Sequence, residues 1–158
     1  MDTTIVPARP TTADDLAALV GRELGPTPWY EVSQARVDAF ADATDDHQWI
    51  HIDPVRAAAS PLGGTIAHGL LSLSLGPYLS GQLLAFDGFA HALNYGYDKV
   101  RFPAPVPVGS RVRMRLTVVA ADPVPGGIQV TTRQVLELEG SDKPVMVADS
   151  LGRIVAES

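Results

Sequence analysis

The sequence predicts an α+β fold in which one antiparallel sheet curls around a central helix, and three observations point to it. Residues 57–86 contain no Asp, Glu, Lys or Arg, and Ile66, Leu70, Leu71, Leu73, Leu75, Leu79, Leu83 and Leu84 leave no polar stripe, the pattern of a helix buried on most faces. After Asp87-Gly88 the character changes to four β-rich stretches, His91 to Phe102, Arg111 to Ala121, Ile128 to Glu139 and Val145 to Val155, set between Gly and Pro breaks. A helix followed by a long meander closes most simply as a sheet wrapped on that helix.

The elements follow in order. Residues 1–10 carry Pro7 and Pro10 and read as a loose arm. Thr11 or Thr12 caps a short helix with Asp14 and Asp15 in its first turn and Leu16, Leu19, Val20 and Leu24 as its apolar stripe. Gly25-Pro26-Thr27-Pro28 stops it, Trp29 to Val32 is a short strand, and Ser33 caps an amphipathic helix running to Thr44. Asp45 to Asp53 reads as a polar loop. Pro54 opens a short helix that ends at Ser60-Pro61-Leu62-Gly63-Gly64, and the buried helix then runs from Thr65 to Leu84 with a bend at Pro77. Alternation is cleanest in Arg111 to Leu116 and Val135 to Glu139, apolar on one face and charged on the other. No repeat, low-complexity tract or linker interrupts the chain, which predicts one domain over residues 1–158.

Composition removes several function classes. With 158 residues a real core is within reach without staples, and with no cysteine there is neither a disulfide nor a thiolate nucleophile. No apolar stretch follows a basic start, so the expected compartment is the cytoplasm. The net charge of -6 and the scatter of Lys and Arg argue against a nucleic-acid partner. Residues 57–86 are long enough to span a bilayer, but His68, four serines, Gln82 and Gly76-Pro77 mark them as a core element, so no membrane partner is expected.

The chemistry-bearing segment is Thr44 to Asp53, TDDHQWIHID, with three carboxylates and two imidazoles in ten residues. Asp46 and His51 stand five apart, so a turn followed by an extended piece can bring both onto one water, and such a pair can work as base and acid near neutral pH. The plainer alternative makes Asp45, Asp46 and Asp53 loop caps and His51 a solvated turn residue. His47 and His51 stand four apart, a metal-ligand spacing on a helix, with Asp46 or Asp53 as third ligand. No glutamate follows His47 as in H-E-x-x-H, and Trp49-Ile50 suggests packing, so no metal is expected. At the start of the buried helix, Gly69 can offer an unobstructed N–H to a developing oxyanion, or serve only close packing with His68 as a core histidine. Trp49, Tyr78, Tyr95 and Tyr97 can line a pocket or simply fill the core, and Arg111, Arg113 and Arg115 form a solvated strand face or meet phosphates.

Asp46-His47-Gln48-Trp49-Ile50-His51-Ile52-Asp53, then Thr65-Ile66-Ala67-His68-Gly69-Leu70, then Asn94 to Gly109, together resemble the MaoC-like dehydratases, the (R)-specific enoyl-CoA hydratases of the hot dog fold. The first segment is similar to the family pattern D-x-N-P-x-H-x-D, and the DDHQWIHID wording to a mycobacterial-type subgroup. Gln48 stands where the pattern has asparagine, Trp49 where it has proline, and Pro77 where some relatives carry a serine. The resemblance implies syn addition of water to a trans-2-enoyl-CoA, or its reverse, with Asp46 and His51 holding the water, the Gly69 N–H on the thioester oxygen and Gln48 orienting Asp46 or the water. It implies an acyl-CoA thioester as substrate, no separate cofactor because CoA belongs to the substrate, and a homodimer. An acyl-CoA thioesterase, or a non-catalytic acyl-thioester binding subunit, is the alternative, and the paired Asp46 and His51 count against both.

Overall fold

The structure, a computed structural model, describes residues 5–156. Helix α1 (Ala13–Leu19) starts on a capping box in which Thr12 Oγ1 accepts from the Asp15 N–H at 3.1 Å and the Asp15 carboxylate accepts from the Thr12 N–H at 3.1 Å. Leu16 and Leu19 are buried, but the helix stops there because Gly21 turns the chain at a φ of 84°. Val20 is therefore half-exposed, and Leu24 belongs to strand β1 (Glu23–Leu24), not to the helical stripe. Strand β2 (Tyr30–Glu31) and helix α2 (Gln34–Thr44), with the Ser33 hydroxyl accepting from the Arg36 N–H, lie where the sequence puts them. The arm is not loose from Ile5 onward: Ala8 N–H donates to Leu83 O and Ala85 N–H to Ala8 O, both at 2.9 Å, while Met1–Thr4 lie outside the described residues.

Between Asp45 and Asp53 the expected loop contains a helix, α3 (Trp49–Ile52), entered through an extended Gln48. Four residues are too few to show a helical period, which is why the sequence hides it. Asp53 then caps α4 (Pro54–Ala58) by accepting from the Arg56 N–H at 3.0 Å.

The predicted central helix is shorter than Thr65 to Leu84 and broken in two, α5 (Gly69–Ser74) and α6 (Gly76–Gly81). Thr65 to Ala67 are extended instead, Ile66 bridging Pro107 and the Ala67 N–H bonding Val106 O at 2.8 Å. The break sits at Leu75, just ahead of Pro77, which lies in the first turn of α6 and has no N–H to return to the preceding turn. Leu71, Leu75, Leu79, Leu83 and Leu84 are buried against the sheet, each worth about 1.5–3 kcal/mol by burial.

That sheet is fully antiparallel, in the order β1-β4-β5-β6-β3 with β2 also on β4. Its long members are β3 (His91–Arg101), β4 (Arg111–Val124), β5 (Gly127–Leu138) and β6 (Met146–Val155). Val112, Met114, Leu116 and Val118 of β4 and Val130 and Leu136 of β5 point into the core, while Arg113 and Arg115 on the opposite face share Glu137 at 2.6 and 2.8 Å. The strand arginines are thus a solvated, ion-paired face. No helix among the described residues is long and apolar enough to cross a membrane.

Candidate active site

Helix α2 ends in Asp45, whose φ of 58° is a left-handed turn that a short polar side chain tolerates, and the turn swings Asp46 back toward the start of α5. Its carboxylate keeps 52% of its surface in solvent. Helix α3 then carries His51 inward, leaving it 6% exposed. His51 Nδ1 lies 2.6 Å from Ile66 O. A carbonyl oxygen can only accept, so Nδ1 carries the hydrogen and, in the neutral ring, Nε2 carries the lone pair. The extended Thr65 to Ala67 segment is what supplies that carbonyl. Gln34 braces the arrangement from α2, donating to His51 O at 2.7 Å and accepting from the Thr65 hydroxyl at 2.6 Å.

His68 is also part of this cluster. It is 2% exposed, its Nε2–H donates to Asp46 O at 3.0 Å, and the same nitrogen is 4.0 Å from Asp46 Oδ2. Its ring stacks on His51 at 3.8 Å between centroids and 25° between planes, with Phe40 at 4.9 Å. Its Nδ1 is buried and has no hydrogen-bond partner among the described residues. A ring nitrogen of His51, one of His68 and a carboxylate oxygen of Asp46 all lie within 4.8 Å of one another. The His68 nitrogen facing Asp46 carries a hydrogen and cannot ligate an ion in that tautomer, so the trio suits a water better than a metal.

Gly69 opens α5, and its N–H has no partner among the described residues. A Cβ there would stand 2.9 Å from the Phe102 ring, so the close approach of that ring requires glycine. The N–H borders a cleft of about 320 Å³ that His51, Ser72, Phe102 and Val106 also line. A second cavity of about 200 Å³ lies between α6 and the sheet, lined by Pro77, Leu84, Tyr97, Gln134 and Ile154.

The remaining sequence candidates go elsewhere. Gln48 is exposed at the N-cap of α3 and makes no capping bond. His47 pairs with Asp42 at 2.8 Å on the surface, and that hydrogen bond pushes its pKa up, so it is not a partner of His51. Tyr78 and Tyr95 are exposed, and Trp49 stacks under Arg56. Gln34 carries no signal in the sequence that marks it for the site, while Thr65 and Phe102 lie in the segments that carry the resemblance without being singled out in them. His68 carries one, its place beside Gly69.

The family model described as MaoC like domain matches residues 15–139, a span that holds Asp46, His51, His68 and Gly69. The chain belongs to the MaoC-like dehydratase family. Its relatives include the 3-hydroxyacyl-thioester dehydratase Z of Mycobacterium tuberculosis, 52% identical over 143 residues that cover 90% of this chain and 95% of the relative. Nodulation protein N of Rhizobium meliloti is 44% identical over 138 residues, 85% of this chain and 86% of that one. Among solved structures, the A. caviae (R)-hydratase involved in PHA biosynthesis superposes with a TM-score of 0.71 at 26% identity, covering 85% of this chain and 95% of that one. This MaoC-like chain therefore has the hot dog fold, with its central helix broken at Leu75, ahead of Pro77.

Proposed function

We propose that the chain hydrates a trans-2-enoyl thioester to the (R)-3-hydroxyacyl thioester and runs the reverse dehydration, with coenzyme A as the carrier. The observation that carries the reading is the His51 tautomer: Nδ1–H tied to Ile66 O leaves Nε2 as a lone-pair base, on a ring that has a nitrogen within 4.8 Å of an Asp46 carboxylate oxygen. The names of the relatives, dehydratase and (R)-hydratase, support it.

In this scheme Asp46 and His51 Nε2 accept the two hydrogens of one water. As the water oxygen bonds to C3, its proton passes to Nε2 and the C2–C3 π electrons move onto the thioester, whose oxygen takes the Gly69 N–H. The Nε2 proton then goes to C2 on the same face, which makes the addition syn and restores His51. Asp46 steadies the imidazolium in between. For Gln48, exposed at the N-cap of α3, we keep the water-orienting role that the resemblance implies. The water supplies the proton, and the chain supplies its carrier and the oxyanion contact, so the scheme calls for no cofactor and no metal. A chain without cysteine has no need of an oxidising compartment, and we assign it to the cytoplasm.

We also propose a homodimer through β3, the edge strand of the sheet. It leaves an eleven-residue ladder unpaired on one side, with Leu93 and Tyr95 exposed on it.

The test follows the absorbance of the enoyl thioester with purified protein and the chirality of the product. Asp46→Asn and His51→Gln each lose on the order of 10²–10⁴ in kcat while the thermal unfolding curve stays that of the native protein. Full activity in either variant rejects the scheme, and release of free thiol from the enoyl thioester would make the chain a thioesterase.

A further inference from the structure

His68 occupies a position that a helix ordinarily gives to Ser, Thr, Asp or Asn. It is the N-cap of α5, yet its side chain makes no capping bond. An acceptor side chain there would take the first N–H groups of the helix, the ones an oxyanion needs. The imidazole turns away and reaches two residues of the proposed chemistry at once. Its Nε2–H holds the main-chain oxygen of Asp46, immediately after the left-handed turn at Asp45, and its face lies on the ring of His51. Phe40 of α2 backs it, so side chains from α2 and α3 and the main chain of the Asp46 turn meet on this one ring.

A residue that only filled space would need neither that carbonyl nor that stacking partner. The donor at Nε2 and the flat face are what a histidine supplies at this position.

We propose that His68 is a positioning residue: it fixes the distance between the Asp46 carboxylate and His51 Nε2 at which one water is held. The inference rests on the hydratase reading above. It touches no reacting atom itself and acts through the two residues it braces.

The experiment measures kcat and KM for hydration of crotonyl-CoA, with thermal unfolding as the control for folding. His68→Phe keeps the flat ring and loses the donor; His68→Gln keeps a donor and loses the stacked ring. The expected result is a kcat about 10²-fold lower in His68→Phe with KM within about twofold, since a displacement near 1 Å costs that much, and a partial recovery of kcat in His68→Gln. In an Asp46→Asn background the His68→Phe loss shrinks, because residues acting as a unit do not multiply their effects. A wild-type kcat in His68→Phe overturns the inference, as do losses that multiply across the two sites or a kcat that merely tracks the folded fraction. If the unmodified chain fails to hydrate crotonyl-CoA, or Asp46→Asn hydrates normally, the hydratase reading itself falls. If the unmodified chain hydrates, Asp46→Asn does not and His68→Phe does, only the role of His68 falls.

Discussion

At the scale of single residues, one main-chain carbonyl decides how the site works. Ile66 O selects the His51 tautomer, and it is available only because Thr65 to Ala67 are extended and not helical. Gly69 answers a second demand, letting the Phe102 ring approach while leaving its N–H open. The two functions separate by mutation. Proline fits the first position of a helix and follows His68, whose ψ of 137° suits a residue before proline, so Gly69→Pro deletes the N–H with the backbone kept. Gly69→Ala, which adds only the Cβ against Phe102, is expected to cost activity modestly, and Gly69→Pro a further 10²–10³ in kcat, roughly the value of one oxyanion donor. Equal kcat in the two variants would show that the amide does not serve an oxyanion. Asp46, His51 and Gly69 were legible as candidates because ionisable side chains and a glycine at a helix start have few other uses in such density. His68 was harder, since a lone histidine on an apolar helix reads equally as core, and the Gln34 to Thr65 brace, formed across 31 positions of sequence, leaves no local trace at all.

At the scale of elements, the long strands and the short helices marked by a cap or a proline, α1 and α4, were legible, and the shortest pieces were not. Alternation fixed β4 and β5 because one face packs and the other meets water, whereas α3 and β1 are too short to show any period. The charged face of the sheet has its own consequence. Burial alone would push the Glu137 carboxyl up, but the guanidiniums of Arg113 and Arg115 bonded to it outweigh this and hold it below the usual carboxylate range. Asp149 is held down in the same way, first by its hydrogen bonds from Arg133. A carboxylate lowered on folding contributes stability that is complete above its unfolded pKa, about 4, and is lost as pH falls through the folded one. Glu137→Gln is therefore expected to lower the unfolding temperature at pH 7, with the gap to the unmodified chain closing below about pH 4. Melting curves across that range check it, and a gap that persisted at low pH would mean that packing, not charge, was lost.

At the scale of the whole molecule, the sheet is closed on one side and open on the other. The β1 and β2 segments cover β4 in two short pieces, while β3 presents an unpaired edge. Such an edge can pair with another strand, and although β3 is irregular at Tyr95 and at Lys99-Val100, residues 91–94 keep a regular register with no Asp, Glu, Lys or Arg. Sedimentation velocity is expected to give a dimer for the unmodified chain and to shift toward monomer for Leu93→Lys combined with Tyr95→Lys, whose ammonium groups would sit on the shared edge. A monomer for the unmodified chain at micromolar concentration would reject the pairing.

The interruption at Leu75, ahead of Pro77, divides labour along the core. Gly69 of α5 borders the cleft that carries the proposed chemistry, while Pro77, Ser80 and Gly81 of α6 border the other cavity. Because Pro77 has no N–H to give, a rung of the ladder is missing between them, and substitutions in the second half can reshape that cavity with less effect on the first. Selection can retune one end of this helix and leave the other untouched.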